Sequence, residues 1–405
     1  MKFLEKINKK IIVLLDQGIF SGQSFLINII MAHLLPIKEF GFFSSIILMC
    51  YLLISITNSI VINPIQVNLH KVKNPNSYLS FGLIFQISLS ITFLIFAGFI
   101  FEIFFPKISI RLVLAALFFS FSFLIYDYFR KIFLAFDKLN ECLVLDILQM
   151  VSQVSLLAVF SLFKINNLII LLTGVAIAYY PALFYSIIKI RFKNISSTIF
   201  RFYFYFHLNQ GYWLLFTAIL QWMSGNFFTM ISGMYLGLEA LGAFRLVQSL
   251  FGLLNILLQT FENYVLPSAA RLQAESIKLS KSYIRKITFE AGMLFFSILF
   301  LLFIFSEQTI SLFGGIKFIP YSYVVKLMAV LYLLIYISYP IRLGIRLANK
   351  NKLFFQGYFF SFLFSLCSFH FFLKYGNLTG AAIGLMMNQI LLISYWKYNL
   401  ITKKI

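Results

Sequence analysis

Side chains able to do chemistry are scarce in this chain of 405 residues, of which 61% are hydrophobic and 11% charged. Those that interrupt long apolar runs are therefore the informative ones. In one run Arg245, Gln248, Asn255, Gln259 and Glu262 recur, with Gly252 among them, at three- and four-residue spacing, which puts them on one face of a helix. A run near the amino terminus carries Gln17, Ser21, Ser24 and Asn28, with Asp16 at its inner end; another carries Gln210, Thr217, Gln221 and Ser224; a further one Asp146, Gln149 and Gln153. In lipid such groups are costly and must face protein or a water-filled cavity. Amides and hydroxyls in that setting can bind a hydroxyl-rich substrate, and Arg245 can hold phosphate oxygens with two donors at once. The competing reading is structural: interhelical hydrogen bonds, worth about 0.6 kcal/mol each, and an Arg245 that snorkels to a nearby surface.

Four carboxylates, Asp16, Asp127, Asp146 and Glu262, fall near one end of their runs, where taking up a proton or sodium ion could couple to transport. Asp127 and Arg130 are three apart, so a local salt bridge is the plain alternative. Arg130, Arg342 and Arg346 lie at span ends where retention of positive charge explains them. The histidines and Cys50, Cys142 and Cys367 share no ligand spacing, so neither a metal, a cofactor nor a disulfide is expected.

The elements carrying these residues are read from polar breaks, which leave about twelve stretches of membrane-spanning length: 11–35, 40–64, 79–105, 110–135, 142–163, 167–188, 210–235, 240–266, 287–313, 319–346, 353–374 and 378–400. Lysine and arginine collect in every second gap. About 25 basic residues lie on one side and about 6 on the other, a bias that keeps the rich side cytoplasmic. The expectation is a polytopic bacterial inner-membrane protein with both termini cytoplasmic. The first apolar run is read as an uncleaved span. The net charge of +20 sits in loop collars that meet anionic lipid headgroups, not in an aromatic-interleaved patch for nucleic acid. No external loop is large enough for a catalytic domain, which argues against a glycan polymerase or ligase and for a protein that moves its substrate.

An internal repeat organises the spans. Leu35-Pro36-Ile37-Lys38-Glu39-Phe40-Gly41 aligns with Leu236-Gly237-Leu238-Glu239-Ala240-Leu241-Gly242 at an offset of about 201 residues, and Pro64 and Pro267 close spans 2 and 8. The stretch from Arg130 to Lys138 aligns with that from Arg342 to Lys350 at an offset of about 212. Six spans per repeat relate the halves by an axis along the membrane normal. The predicted architecture is all-α: an amino-terminal six-helix bundle (1–190), a cytoplasmic linker (191–209) and a carboxy-terminal six-helix bundle (210–405).

The stretches 16–44 (DQGIFSGQSFLINIIMAHLLPIKEFGFFS), 222–250, 127–139 and Leu266-Pro267-Ser268 resemble the corresponding parts of Wzx-type polysaccharide flippases of the MATE-like (MOP) translocase superfamily. The resemblance covers about a fifth of the chain directly, with diffuse motifs. It implies two six-helix bundles around a cavity open to one face at a time. The implied substrate is an oligosaccharide repeat unit on a polyprenyl diphosphate, flipped from the cytoplasmic to the outer leaflet for O-antigen, lipopolysaccharide or related surface-polysaccharide synthesis. Membrane lipids and the glycan polymerase machinery are the implied partners. Members of that family commonly have a cationic cavity; here only Arg245 fits that pattern. The alternative transport reading is a MATE-like ion-coupled exporter of drugs or organic cations.

Overall fold

The computed structural model describes residues 9–104, 108–190, 192–260, 265–348 and 350–402. Among them no strand occurs. Long apolar runs satisfy their backbone polar groups internally, as chains in lipid must. The first half comprises α1 (Lys9–Leu34), α2 (Ile37–Thr57), a π-helical turn (Asn58–Ile62), α3 (Asn63–Asn68), α4 (Pro75–Phe104), α5 (Ile110–Ala135), α6 (Leu139–Leu162), α7 (Leu168–Ile177) and α8 (Tyr180–Lys189). The second continues with α9 (Ser197–Leu236), α10 (Leu238–Thr260), α11 (Leu266–Glu275), α12 (Ile277–Ile304), α13 (Ser306–Gly314), a 3-10 turn (Ile316–Tyr321), α14 (Ser322–Leu347) and α15 (Asn351–Thr402).

Helix ends follow local chemistry. Asn167 caps α7 by accepting from the amides of Ile169 and Ile170, and Ser276 caps α12 through the amide of Lys278, satisfying donors that a helix start leaves unpaired. Gly237, at φ 96°, separates α9 from α10, a backbone conformation glycine adopts without steric cost. Within α15, Asn377 is non-helical (φ 47°, ψ −132°), close to the expected break between the last two spans.

Nine helical stretches among the described residues are long and apolar enough to cross a membrane, fewer than the twelve expected. Part of the difference is α15, which is continuous across Asn377 and counts once; α1 and α10 each include residues whose side chains lie outside the described set.

Packing divides the chain into two compact units: Met1–Leu35 with Ser45–Ile219, and Pro36–Ser44 with Leu220–Ile405. The boundary falls inside α9, whose helix already begins at Ser197, within the stretch read as a linker. In the first unit α1 packs along α6, and α5 packs on α7. In the second, α14 is the central support, packed by α15, α12 and α10.

The repeat is visible in contacts inside the second unit. A Cβ on Gly41 would fall 1.8 Å from the Leu238 carbonyl oxygen, and one on Gly242 would fall 2.9 Å from that of Ile37 and 3.1 Å from the Gly41 Cα. Gly41 with Gly242, and Ile37 with Leu238, are the aligned pairs of the repeat, so the two equivalent helix starts cross each other on their own glycines. Close backbone approach of this kind is what small residues allow between membrane helices. Other aligned positions end or start helices alike: α5 stops at Ala135 and α14 at Leu347, while Pro64 and Pro267 each open a short helix.

Candidate ion centre in the first unit

Three helices of the first unit bring ionised groups together in an apolar interior. Arg130 on α5 donates from Nη2 to Asp16 Oδ2 of α1 at 2.6 Å and from Nε to Asp146 Oδ2 of α6 at 2.8 Å. The hydroxyl of Tyr126, one turn before Arg130, donates to Asp146 Oδ1 at 2.6 Å. The Phe20 ring lies under the guanidinium, 4.0 Å from its centre, a cation–π contact. All three charged residues are buried, at 4% exposure for Asp16, 6% for Arg130 and 0% for Asp146.

Deeper along the same interface Gln23 Nε2 donates to Gln153 Oε1 at 2.7 Å. Gln149, on the same face of α6, is fully buried, and both its amide atoms lack a protein partner among the described residues; so do Asp16 Oδ1 and Gln23 Oε1. Buried polar atoms in native proteins nearly always find a partner, so these mark a place where a small polar or charged species is chemically welcome. One cation faces two carboxylates, so the three groups sum to one negative charge when all are ionised.

A divalent metal fits poorly. Asp16, Cys142 and Asp146 offer ligand atoms within 4.8 Å of one another, yet Oδ2 of each carboxylate is spent on Arg130, whose positive charge repels such an ion. The Cys142 thiol lies 3.8 Å from the Arg130 carbonyl as donor.

Sequence spacing finds part of this centre. Asp146, Gln149 and Gln153 do lie on one buried face of α6. On α1 the buried polar face is Asp16 with Gln23, whereas Gln17, Ser21, Ser24 and Asn28 are only partly buried, and Asn28 bonds the Ser24 carbonyl at 2.7 Å. The missed residue, Gln23, has a legible signal: Asp16 to Gln23 and Asp146 to Gln153 are the same separation, and each pair meets across parallel helices. Arg130, read as a topological charge, is instead the cation of the centre. The expected Asp127–Arg130 bridge is replaced by Asp127 with Lys131 at 2.5 Å, and Lys131 also donates to Asn58 Oδ1 at 2.7 Å, at the start of the π-helical turn.

The remaining candidates lie in the second unit. Arg245, half-buried, donates to Gln248 Oε1 at 3.0 Å, and Gln248 donates to Thr229 Oγ1 at 2.8 Å. This ties α10 to α9 and spends the Gln248 amide on packing. Asn255 is exposed and donates to the Tyr332 hydroxyl at 3.2 Å, and Gln221 is exposed. The side chain of Gln259, and Glu262 altogether, lie outside the described residues.

The repeat makes the ion centre asymmetric. Arg342 aligns with Arg130 and Tyr358 with Asp146; there Arg342 Nη2 lies 3.4 Å from the Tyr358 hydroxyl. Thr217 stands where Asp16 stands. The aligned arginine again meets the aligned partner, though through a different nitrogen and at a longer distance, and the two carboxylates occur in one half only.

No protein-family profile matches this sequence, and no curated protein matches it. Solved structures do. An inward-facing multidrug-resistance MATE transporter of the MOP superfamily matches with a TM-score of 0.71 at 12% identity, covering 98% of this chain and 99% of that one. The lipid II flippase MurJ, in an inward closed conformation, matches at 0.72 and 13% identity, covering 96% and 87%. A MATE protein in a straight conformation matches at 0.60 and 14% identity, covering 98% and 97%. The chain therefore has the fold of the MATE and MurJ transporters and is a multi-pass membrane protein.

Proposed function

We propose that this protein is a flippase of the bacterial inner membrane, not an enzyme, and that it moves polyprenyl-diphosphate-linked oligosaccharide units from the cytoplasmic to the outer leaflet by alternating access. Adding α1 and α10 to the candidate spans and dividing α15 at Asn377 gives twelve crossings, with both termini cytoplasmic by the charge bias. In this reading the product feeds the glycan polymerase machinery.

The observation that carries the transport reading is the buried Asp16–Arg130–Asp146 centre. Such a group is costly in a membrane interior and is kept there for ion pathways. One proton or sodium ion neutralises its net charge, and Asp16 Oδ1 is the acceptor left over after Arg130 is served. Uptake on one side and release on the other would bias two conformations, provided the ion binds them unequally. The substrate diphosphate is given to Arg245, and the sugar hydroxyls to the exposed amides Asn255 and Gln221.

The exporter alternative calls for free acidic groups to hold an organic cation. The buried carboxylates Asp16 and Asp146 already face Arg130, and the buried Asp127 faces Lys131, which favours the flippase. Deleting the gene tests the choice: surface glycan should disappear while the lipid-linked unit accumulates inside. Intact glycan with new sensitivity to organic cations would instead favour the exporter. Arg245→Ala in the restored strain should reduce surface glycan; unchanged glycan would remove Arg245 from the site.

A further inference from the structure

Away from the ion centre, the second unit holds an open groove of about 1270 Å³ between α12, α14 and the end of α15. Its walls are apolar, with Phe289, Met293 and Phe296 on α12 facing Leu333, Ile337 and Ile341 on α14. Gly292, Pro340 and Gly344 also line it, and the two glycines add no side chain. Pro340 also lacks the N–H that would bond one turn back in α14, and prolines bend helices at such points. Tyr336 ties the two walls by donating to the Thr288 carbonyl at 2.5 Å.

One end of the groove is cationic. Lys281 and Arg285, one turn apart near the start of α12, line it together with Lys397 near the end of α15, and no acidic residue is among the lining. These helix ends, with the carboxy-terminal end of α14, mark one border of the apolar region. From Arg285 to Phe296 the helical rise gives about 16 Å, close to half of the ~30 Å hydrocarbon core, or one leaflet. Only 11% of the most apolar stretch of α12 is buried within the protein, so the groove opens where lipid lies.

We propose that this groove is a binding site for a single anionic glycerophospholipid, its phosphate held by Lys281, Arg285 and Lys397 and its acyl chains laid along α12 and α14. The charge matches an anionic phosphodiester, for which arginine supplies paired donors and lysine a point charge. The length matches one leaflet, whereas a long polyprenyl tail would overrun it. The site is independent of the flippase reading.

The test uses the full chain, reconstituted in nanodiscs containing phosphatidylglycerol and phosphatidylethanolamine, then extracted into mild detergent and weighed by native mass spectrometry. The wild type should retain phosphatidylglycerol. The combined Lys281→Ala, Arg285→Ala and Lys397→Ala variant should lose it roughly tenfold or more. Gly344→Leu keeps every charge and fills the groove, since a Cβ there has room, with Leu400 at 3.7 Å; it should lose the lipid too. Should the triple variant fail to fold, Gly344→Leu decides alone. Equal retention of phosphatidylethanolamine, or retention unchanged in Gly344→Leu, would overturn the proposal, the latter by reducing the attraction to diffuse surface charge.

Discussion

Arg130 is held between two carboxylates and an aromatic ring in a setting where none of the three charges is stable alone. Removing one partner of a buried ion pair leaves an uncompensated charge and costs about 3–5 kcal/mol. Arg130→Met should therefore lower the thermal midpoint of the purified protein sharply, and adding Asp16→Asn and Asp146→Asn to it should recover much of the loss. A midpoint unmoved by Arg130→Met would deny the triad. The Gln23–Gln153 pair makes a milder case. Gln153→Leu strands a buried amide, at about 1–3 kcal/mol, whereas replacing both with leucine is nearly neutral; a double-mutant cycle in detergent measures the difference. Half of this centre is legible in the sequence. Asp146, Gln149 and Gln153 announce a buried face by spacing alone, but Arg130 is hidden by its neighbours. Lys131 and Lys138 beside it carry the same charge, and all three look alike as cytoplasmic residues; only the fold gives Arg130 to Asp16 and Asp146 and Lys131 to Asp127.

Among the elements, the crossing of the α2 and α10 starts is one of the tightest backbone contacts of the second unit. A methyl group on Gly41 would meet the Leu238 carbonyl oxygen at 1.8 Å, a distance backbone cannot yield cheaply. Gly41→Ala should reduce folded yield and thermal midpoint. Gly18→Ala and Gly22→Ala on α1, where nothing lies within 4 Å, should be neutral or stabilising by about 0.5–1 kcal/mol through helix propensity. Equal effects at Gly41 and Gly18 would remove the crossing from the account. The repeat had aligned Gly41 with Gly242 from sequence, yet nothing in a linear alignment says that aligned residues touch each other. The break at Asn377 was expected between the last two spans, but its form, a single residue inside an otherwise continuous α15, was not, because hydropathy marks where a chain leaves lipid and not how its helices join.

At the scale of the whole molecule, two halves share a plan and differ in chemistry: Arg130 meets carboxylates, while Arg342 meets the Tyr358 hydroxyl. An alternating-access protein needs only one half to sense the driving ion, since a ligand shifts a two-state equilibrium by its unequal affinity for the states. Reporter fusions after residues 70, 200 and 275 should all report the cytoplasm, and any one found outside the cell would break the twelve-span topology. The most direct measurement of the central claim is flipping of a polyprenyl-diphosphate oligosaccharide in proteoliposomes under an imposed proton or sodium gradient. The wild type should be accelerated by one of these gradients, and Asp16→Asn should keep its fold and lose that acceleration. Gradient-driven flipping that persists undiminished in Asp16→Asn would contradict the assignment of the Asp16–Arg130–Asp146 centre as the coupling site.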